Sequence, residues 1–212
     1  LGAIVARKTS ALAESNRKLE QENRALVEAE LMLGLQRDFA AAMSESSTLQ
    51  SCLDRATSLV LRIAGIDCSG VYLADPMEGK LKLATCRGVS DAFAKKFAIH
   101  DASIPGSAEI LKGQHVCVNG NDMPKVNCDS ALMEEGVTAF LIAPVKYGSE
   151  VIASLAIASH TVTDFPANTM SGLESLAMLM GGAISRLKAK EQLSQNEERF
   201  RMMIEHAGVS MM

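Results

Sequence analysis

Tryptophan is absent from this 212-residue chain, which also holds only 2 tyrosines and 6 phenylalanines. Few platforms exist, therefore, on which bases could stack. An excess of basic charge is missing too. The 21 Lys and Arg are outnumbered by 25 Asp and Glu, giving a formal net charge of −4 and a pI near 5.6. That balance removes the electrostatic case for nucleic acid or an anionic membrane as partner. No apolar run approaches the ~20 residues of a membrane span. The opening Leu1-Gly2-Ala3-Ile4-Val5-Ala6 is compatible with the stub of a span and too short to decide it. The chain starts with Leu1 and carries no signal peptide, so it reads as a piece of something longer, cytoplasmic here whether or not the whole is membrane-anchored.

Chemical signatures are equally scarce. Cys52, Cys68, Cys86, Cys117 and Cys128 are odd in number, irregularly spaced and free of any CxxC, which argues against a disulfide framework and a zinc site. Most of them read as small buried hydrophobes in a reducing compartment. His100, His160 and His206 show no metal spacing, so no metal ligand is assigned. Gly65, Gly70 and Gly79 lack the strand–turn–helix setting of a phosphate loop. Nothing resembles a Ser–His–Asp or paired-carboxylate site, so no catalytic residue is assigned either.

What is present is enough apolar material for one core: 48% hydrophobic against 22% charged residues, with 12 Met. Three zones follow. In residues 1–38, Leu12, Leu19, Leu26 and Leu33 recur every seven residues among charged and amide side chains. With these leucines at d, Asn16, Asn23 and Glu30 fall at a, where paired Asn suits a parallel two-stranded coiled coil. The other reading is a solvated linker helix that pairs weakly.

The second zone mixes helix and strand patterns. Leu49, Cys52, Leu53, Ala56, Val60 and Ile63 form one helical stripe, with a capping box from Ser47 to Gln50 and Gly65 as its end. Strands are expected at Ser69–Ala74, Lys80–Cys86, His115–Val118, Thr138–Tyr147 and Glu150–Ser159, the last two joined by Gly148-Ser149 as a hairpin. Between Gly88 and Lys112 the pattern is irregular, with short helices expected at Ser90–Phe97 and Pro105–Leu111. Asn119–Asp129 reads as a surface loop, followed by one or two helical turns to Glu135. The sum is an α+β fold on an antiparallel sheet of five or six strands. In the third zone Leu173, Leu176, Met180, Ala183 and Leu187 trace an a/d stripe. Gly181-Gly182 marks either a close helix approach or a flexible spot.

The run Glu135-Gly136-Val137-Thr138-Ala139-Phe140-Leu141-Ile142-Ala143-Pro144-Val145 resembles the central signature of GAF domains. Glu150 to Ser159, Asp164-Phe165 and Leu111 to Val116 are similar to the same family, over about residues 35–190. Asn196 to Ala207 resembles the opening of a PAS domain. The order is similar to that of sensor histidine kinases or diguanylate cyclases. It implies a coiled-coil signalling helix at 1–38, a GAF-like sensor domain at 39–187 with helices on one side of the sheet, a linker helix at 188–199 and the start of a PAS-like domain at 200–212.

The resemblance implies small-molecule or redox sensing, passed through dimeric helices to a downstream output domain. The pocket would lie under residues 88–112 and 119–136, with His115, Cys117, Met133, Phe140 and Ile142 as candidates to line it. His115 and Cys117, two apart on a strand, face the same way and suit a haem ligand or covalent anchor; the bland reading is packing or surface. The dimer contact is expected at Leu12, Asn16, Leu19, Asn23, Leu26 and Leu33, and at Leu176, Met180, Ala183 and Leu187. The Asn-Lys-Phe-Asp-Glu set of cyclic-nucleotide members is missing, and no bilin pattern stands out. Two other readings remain open: a degenerate domain serving only as a dimerisation spacer, and a free methionine sulfoxide reductase using loop cysteines such as Cys117 and Cys128.

Overall fold

A computed structural model describes residues 2–75, 77–101, 106–120, 122 and 130–209. Its centre is an antiparallel six-stranded sheet of order β3-β2-β1-β6-β5-β4. The strands are β1 (Cys68–Asp75), β2 (Lys80–Arg87), β3 (Ile99–Asp101), β4 (Val116–Val118), β5 (Ala139–Tyr147) and β6 (Glu150–Ser159). Five stand where hydropathy alternation places them. β3 is additional, because three residues carry no readable period. Gly148, at φ +62°, opens the two-residue turn between β5 and β6, a backbone that favours glycine.

Alternation divides the sheet into two faces. Val71, Leu141, Ala143, Val145, Ala153, Leu155 and Ile157 face three helices and are almost wholly buried. Those helices are α1 (Gly2–Glu45), α2 (Leu49–Val60) and α6 (Ala167–Val209). The short helices α3 (Asp91–Lys96), α4 (Ser107–Leu111) and α5 (Ser130–Glu135) belong to the segments of the other face.

The N-cap of α2 is Thr48, one residue after the expected Ser47; its side chain accepts the Ser51 N–H at 3.2 Å. Cys52, Leu53, Ala56 and Val60 are buried as their stripe requires. Helix α1 runs unbroken across residue 38, and its last turns carry Leu35, Phe39 and Met43 into the core. Arg186 of α6 donates to the carbonyl of Met43 at 2.9 Å, satisfying an acceptor that the end of α1 would otherwise leave unpaired.

The two expected dimer stripes part company here. Leu12, Leu19, Leu26 and Leu33 are 62%, 54%, 58% and 64% exposed, and Asn16 and Asn23 are exposed beside them. Leu176, Met180, Ala183 and Leu187, by contrast, are buried within the chain against the sheet, α1 and α2. An apolar helical stripe reports that a face is covered, not by what; this one is covered by its own chain and is not a surface for a second copy.

The glycine pair is also resolved. A Cβ at Gly181 would collide with the Lys146 carbonyl oxygen of β5, whereas one at Gly182 would meet nothing within 4 Å. Gly181 lets α6 lie directly on the sheet backbone, and Gly182 is an exposed helical residue. Gly181→Ala should therefore lower stability by about 1–3 kcal/mol. Gly182→Ala should raise it by about 0.5–1 kcal/mol through helix propensity. Urea denaturation of the pair checks both signs.

Candidate functional site

Across the sheet face opposite the core runs one row of paired residues: Cys86 beside Gly70, Gly70 beside Ala156, Ala156 beside Ile142, and Ile142 beside Val116. The middle of that row is glycine and alanine, so the floor is shallow where the strands are most central. A Cβ at Gly70 would find only ordinary contacts at 3.7 Å, so packing does not demand glycine there. A register shift between Val71 and Tyr72 leaves Ala84 unpaired on β2 and brings Cys86 to the same face as Leu81 and Leu83.

Above this floor is a cavity of about 130 Å³. Phe93 and Phe97 from the α3 segment, Ile110 from α4, and Leu132 and Val137 around α5 supply the roof and sides. The volume is of the order of the ~150 Å³ apolar cavity that accepts benzene.

Two polar atoms interrupt the apolar lining. Among the described residues, His100 Nε2 and Ser154 Oγ are buried with no hydrogen-bond partner. Such atoms cost about 1–3 kcal/mol each when left unpaired. The His100 ring is held edge-on to Tyr72 with centroids 4.9 Å apart, lies 5.4 Å from the Phe97 ring, and has Nδ1 3.5 Å from Ser107 Oγ. Burial lowers the His100 pKa below its ordinary value, against a weaker opposing pull from Asp101. Burial raises the Tyr72 phenol. Both side chains are therefore neutral near pH 7, and the cavity favours an uncharged or weakly polar guest over an ion.

The expected pocket residues scatter. Phe140 and Ile142 stand in the cavity wall. His115 and Cys117 do not, because Val116 between them faces inward and alternation turns both neighbours away. His115 Nδ1 lies 3.1 Å from Glu174 Oε1 on α6, and Cys117 is exposed beside Asn119. Met133 is 63% exposed, and Leu132 takes the inward position. A haem does not fit these residues: its intended ligand pair points out of the cavity, and the macrocycle is several times larger than the space.

Thiol chemistry fares no better as a reading. The Cys68 thiol is pushed up to about 12 by burial, with the Asp67 carboxylate adding to the rise. Burial likewise raises Cys86 and Cys117. None of the three is poised as a thiolate at neutral pH; Cys128 lies outside the described residues. His100 and Ser154 were not among the expected site residues. The one signal for Ser154 is the alternation of small and large residues in Ala153-Ser154-Leu155-Ala156-Ile157-Ala158.

Comparison with known proteins agrees with this geometry. The sequence model of the GAF domain matches residues 46–185. No curated protein matches the chain. Among solved structures, the fold is similar to the GAF domain of a phosphoenolpyruvate-protein phosphotransferase from Coxiella burnetii, with a TM-score of 0.67 and 17% identity over 77% of this chain and 98% of that one. It is also similar to free methionine-R-sulfoxide reductase from Neisseria meningitidis in complex with its substrate, at TM-score 0.64 and 15% identity over 76% and 93%. A domain of a putative two-component sensor histidine kinase protein from Sinorhizobium meliloti 1021 superposes at TM-score 0.59 and 15% identity over 71% and 99%.

The partly buried His100 gives a pH signature. Between the ordinary value of 6.5 and the lower native value, the unfolded chain takes up a proton that folded His100 refuses. The stability present above pH 6.5 should thus be lost as the pH falls through that window. Urea midpoints at about pH 7.5 and about pH 5.5 should drop further for the wild type than for His100→Gln. Equal drops would mean that His100 does not titrate differently on folding.

Proposed function

Because the chain belongs to the GAF domain family, we propose that it is the sensor module of a signalling protein, in which a small molecule fills the cavity and biases the arrangement of α1 and α6. The observation that carries this reading is the small-residue floor of Gly70 and Ala156 in a cavity lined by two residues with buried, unpartnered polar atoms, His100 and Ser154. A spacer that had lost its ligand would be expected to fill such a space with its own side chains. Here Ile152, Leu155 and Ile157 of β6 pack on the core instead.

Transmission rests on the helices. α6 lies on β5 through Gly181, and Phe140 and Ile142 of that same strand wall the cavity. α1 packs on α6, and its exposed leucine row offers a seam for a parallel homodimer. A ligand with different affinity for two helix arrangements would shift their populations. Downstream, residues 200–212 would begin a PAS-like domain, followed by a histidine kinase or diguanylate cyclase output. The fragment itself is a regulator, with no enzymatic step assigned to it. Among the described residues, no helix is long and apolar enough to cross a membrane.

Native mass spectrometry with an absorption spectrum reports any co-purified guest. Titration with benzene and with phenol, followed by NMR, tests the cavity directly. Phenol should bind more tightly, its hydroxyl reaching His100 Nε2 or Ser154 Oγ, and Ala156→Leu should weaken both at least tenfold while the protein stays folded. No co-purified mass and no binding of either probe would overturn the sensing reading. For the helices, Asn16→Leu with Asn23→Leu should move the oligomer above a dimer in light scattering. An unchanged mass would put both residues outside the seam.

A further inference from the structure

At one end of the sheet, away from the residues assigned above to sensing, three different donor atoms converge, and the Cys68 that supplies one of them also lines the cavity. β1 begins at Cys68, paired with Ala158 of β6, and the Asp67 N–H donates to the Ala158 carbonyl at 3.3 Å. His160 directly follows β6. The ladder thus brings Asp67 and Cys68 beside a histidine 93 and 92 residues further along the chain. Cys68 Sγ lies 3.3 Å from Asp67 Oδ1 and 3.4 Å from His160 Nδ1. His160 Nδ1 lies 2.9 Å from Asp67 Oδ1.

Those three distances are close to the edges of a coordination tetrahedron. Metal bonds of about 2.0–2.3 Å to O, N and S at tetrahedral angles place the donor atoms roughly 3.3–3.6 Å apart. A point about 2 Å from all three exists just off the plane they define. We propose that Asp67, Cys68 and His160 form a three-ligand site for a divalent transition-metal ion of the zinc type. On binding, the ion would displace to solvent the proton that the Cys68 thiol otherwise donates to the Gly88 carbonyl at 3.0 Å. One carboxylate, one imidazole and the resulting thiolate make a mixed set suited to zinc or its neighbours and unsuited to calcium or magnesium. With three protein ligands, the fourth position is open to water or another small donor.

The surroundings support the assignment. Both Asp67 oxygens lie 3.1 Å from the His160 backbone N–H, which anchors the carboxylate independently of the ring. Cys68 is 2% exposed and held by the strand, while the Asp67 and His160 side chains keep 35% and 30% of their surface open, giving an ion a path from solvent. Since Cys68 also lines the cavity, a bound ion would sit at its margin.

Cobalt(II) added to the metal-free chain tests the site. One equivalent should bind, with a thiolate-to-cobalt charge-transfer band and visible bands of tetrahedral intensity, and zinc(II) should displace it. Cys68→Ser should abolish the charge-transfer band. His160→Gln should weaken zinc binding by more than the roughly 10–100-fold that outer partners contribute. Cys117→Ser should change neither. If Cys68→Ser does not fold, the zinc-induced rise in the wild-type melting temperature, and its loss in His160→Gln, decides the question. Folded wild type that takes up no cobalt, or bands that persist in both ligand variants, would leave a hydrogen-bonded cluster only and overturn the assignment. Neither result depends on whether benzene or phenol enters the cavity.

Discussion

Strand β6 is hydrogen-bonded on both sides, to β1 and to β5, and its side chains cannot change face without breaking both ladders. The rest of the molecule depends on that constraint. Leu155 and Ile157 must point one way, and there they anchor α1, α2 and α6. Ser154, Ala156 and Ala158 must point the other way, and their small size leaves the roofing segments suspended over a space. One strand therefore specifies both a packed face and an unpacked one.

The two faces are opposed energetically as well. Each large side chain fully buried on the core side contributes roughly 1.5–3 kcal/mol. A void of about 130 Å³ costs about 3 kcal/mol at the usual ~24 cal/mol per Å³. That deficit is of the size of one or two core residues, so a core with Phe39, Leu53, Leu155, Leu173 and Ile184 fully buried can sustain it. A guest that fills the space and satisfies His100 or Ser154 recovers the deficit. The cavity is thus held open by packing elsewhere.

Much of the fold was legible because its signals are local. Lys80-Leu81-Lys82-Leu83 alternates, Gly148-Ser149 turns a hairpin, and the α2 stripe has a helical period. What was not legible depends on pairing between distant segments. β3 is too short to show a period, yet it places His100 at the cavity. Leu176 and Met180 were readable as covered but not as covered by their own chain. His115 and Cys117 were rightly given one common direction, while the direction itself depended on which face β4 turns to the roof. Asp67, Cys68 and His160 are brought together only by the β1–β6 register, to which spacing along the chain is blind.

Helices α1 and α6 contain 44 and 43 residues, of which only a part lies on the sheet. From Leu12 to Leu33 the α1 backbone is continuous and its side chains face solvent almost throughout. At 1.5 Å per residue that stretch measures about 30 Å. It is a lever whose fulcrum is the packed end at Phe39 and Met43. A tilt of only about 5° at that fulcrum moves the far end by roughly 3 Å, about half a helical turn. In the proposed homodimer, displacements too small to disturb the sheet's hydrogen bonds would be magnified to the scale on which side chains in a helix pair exchange partners.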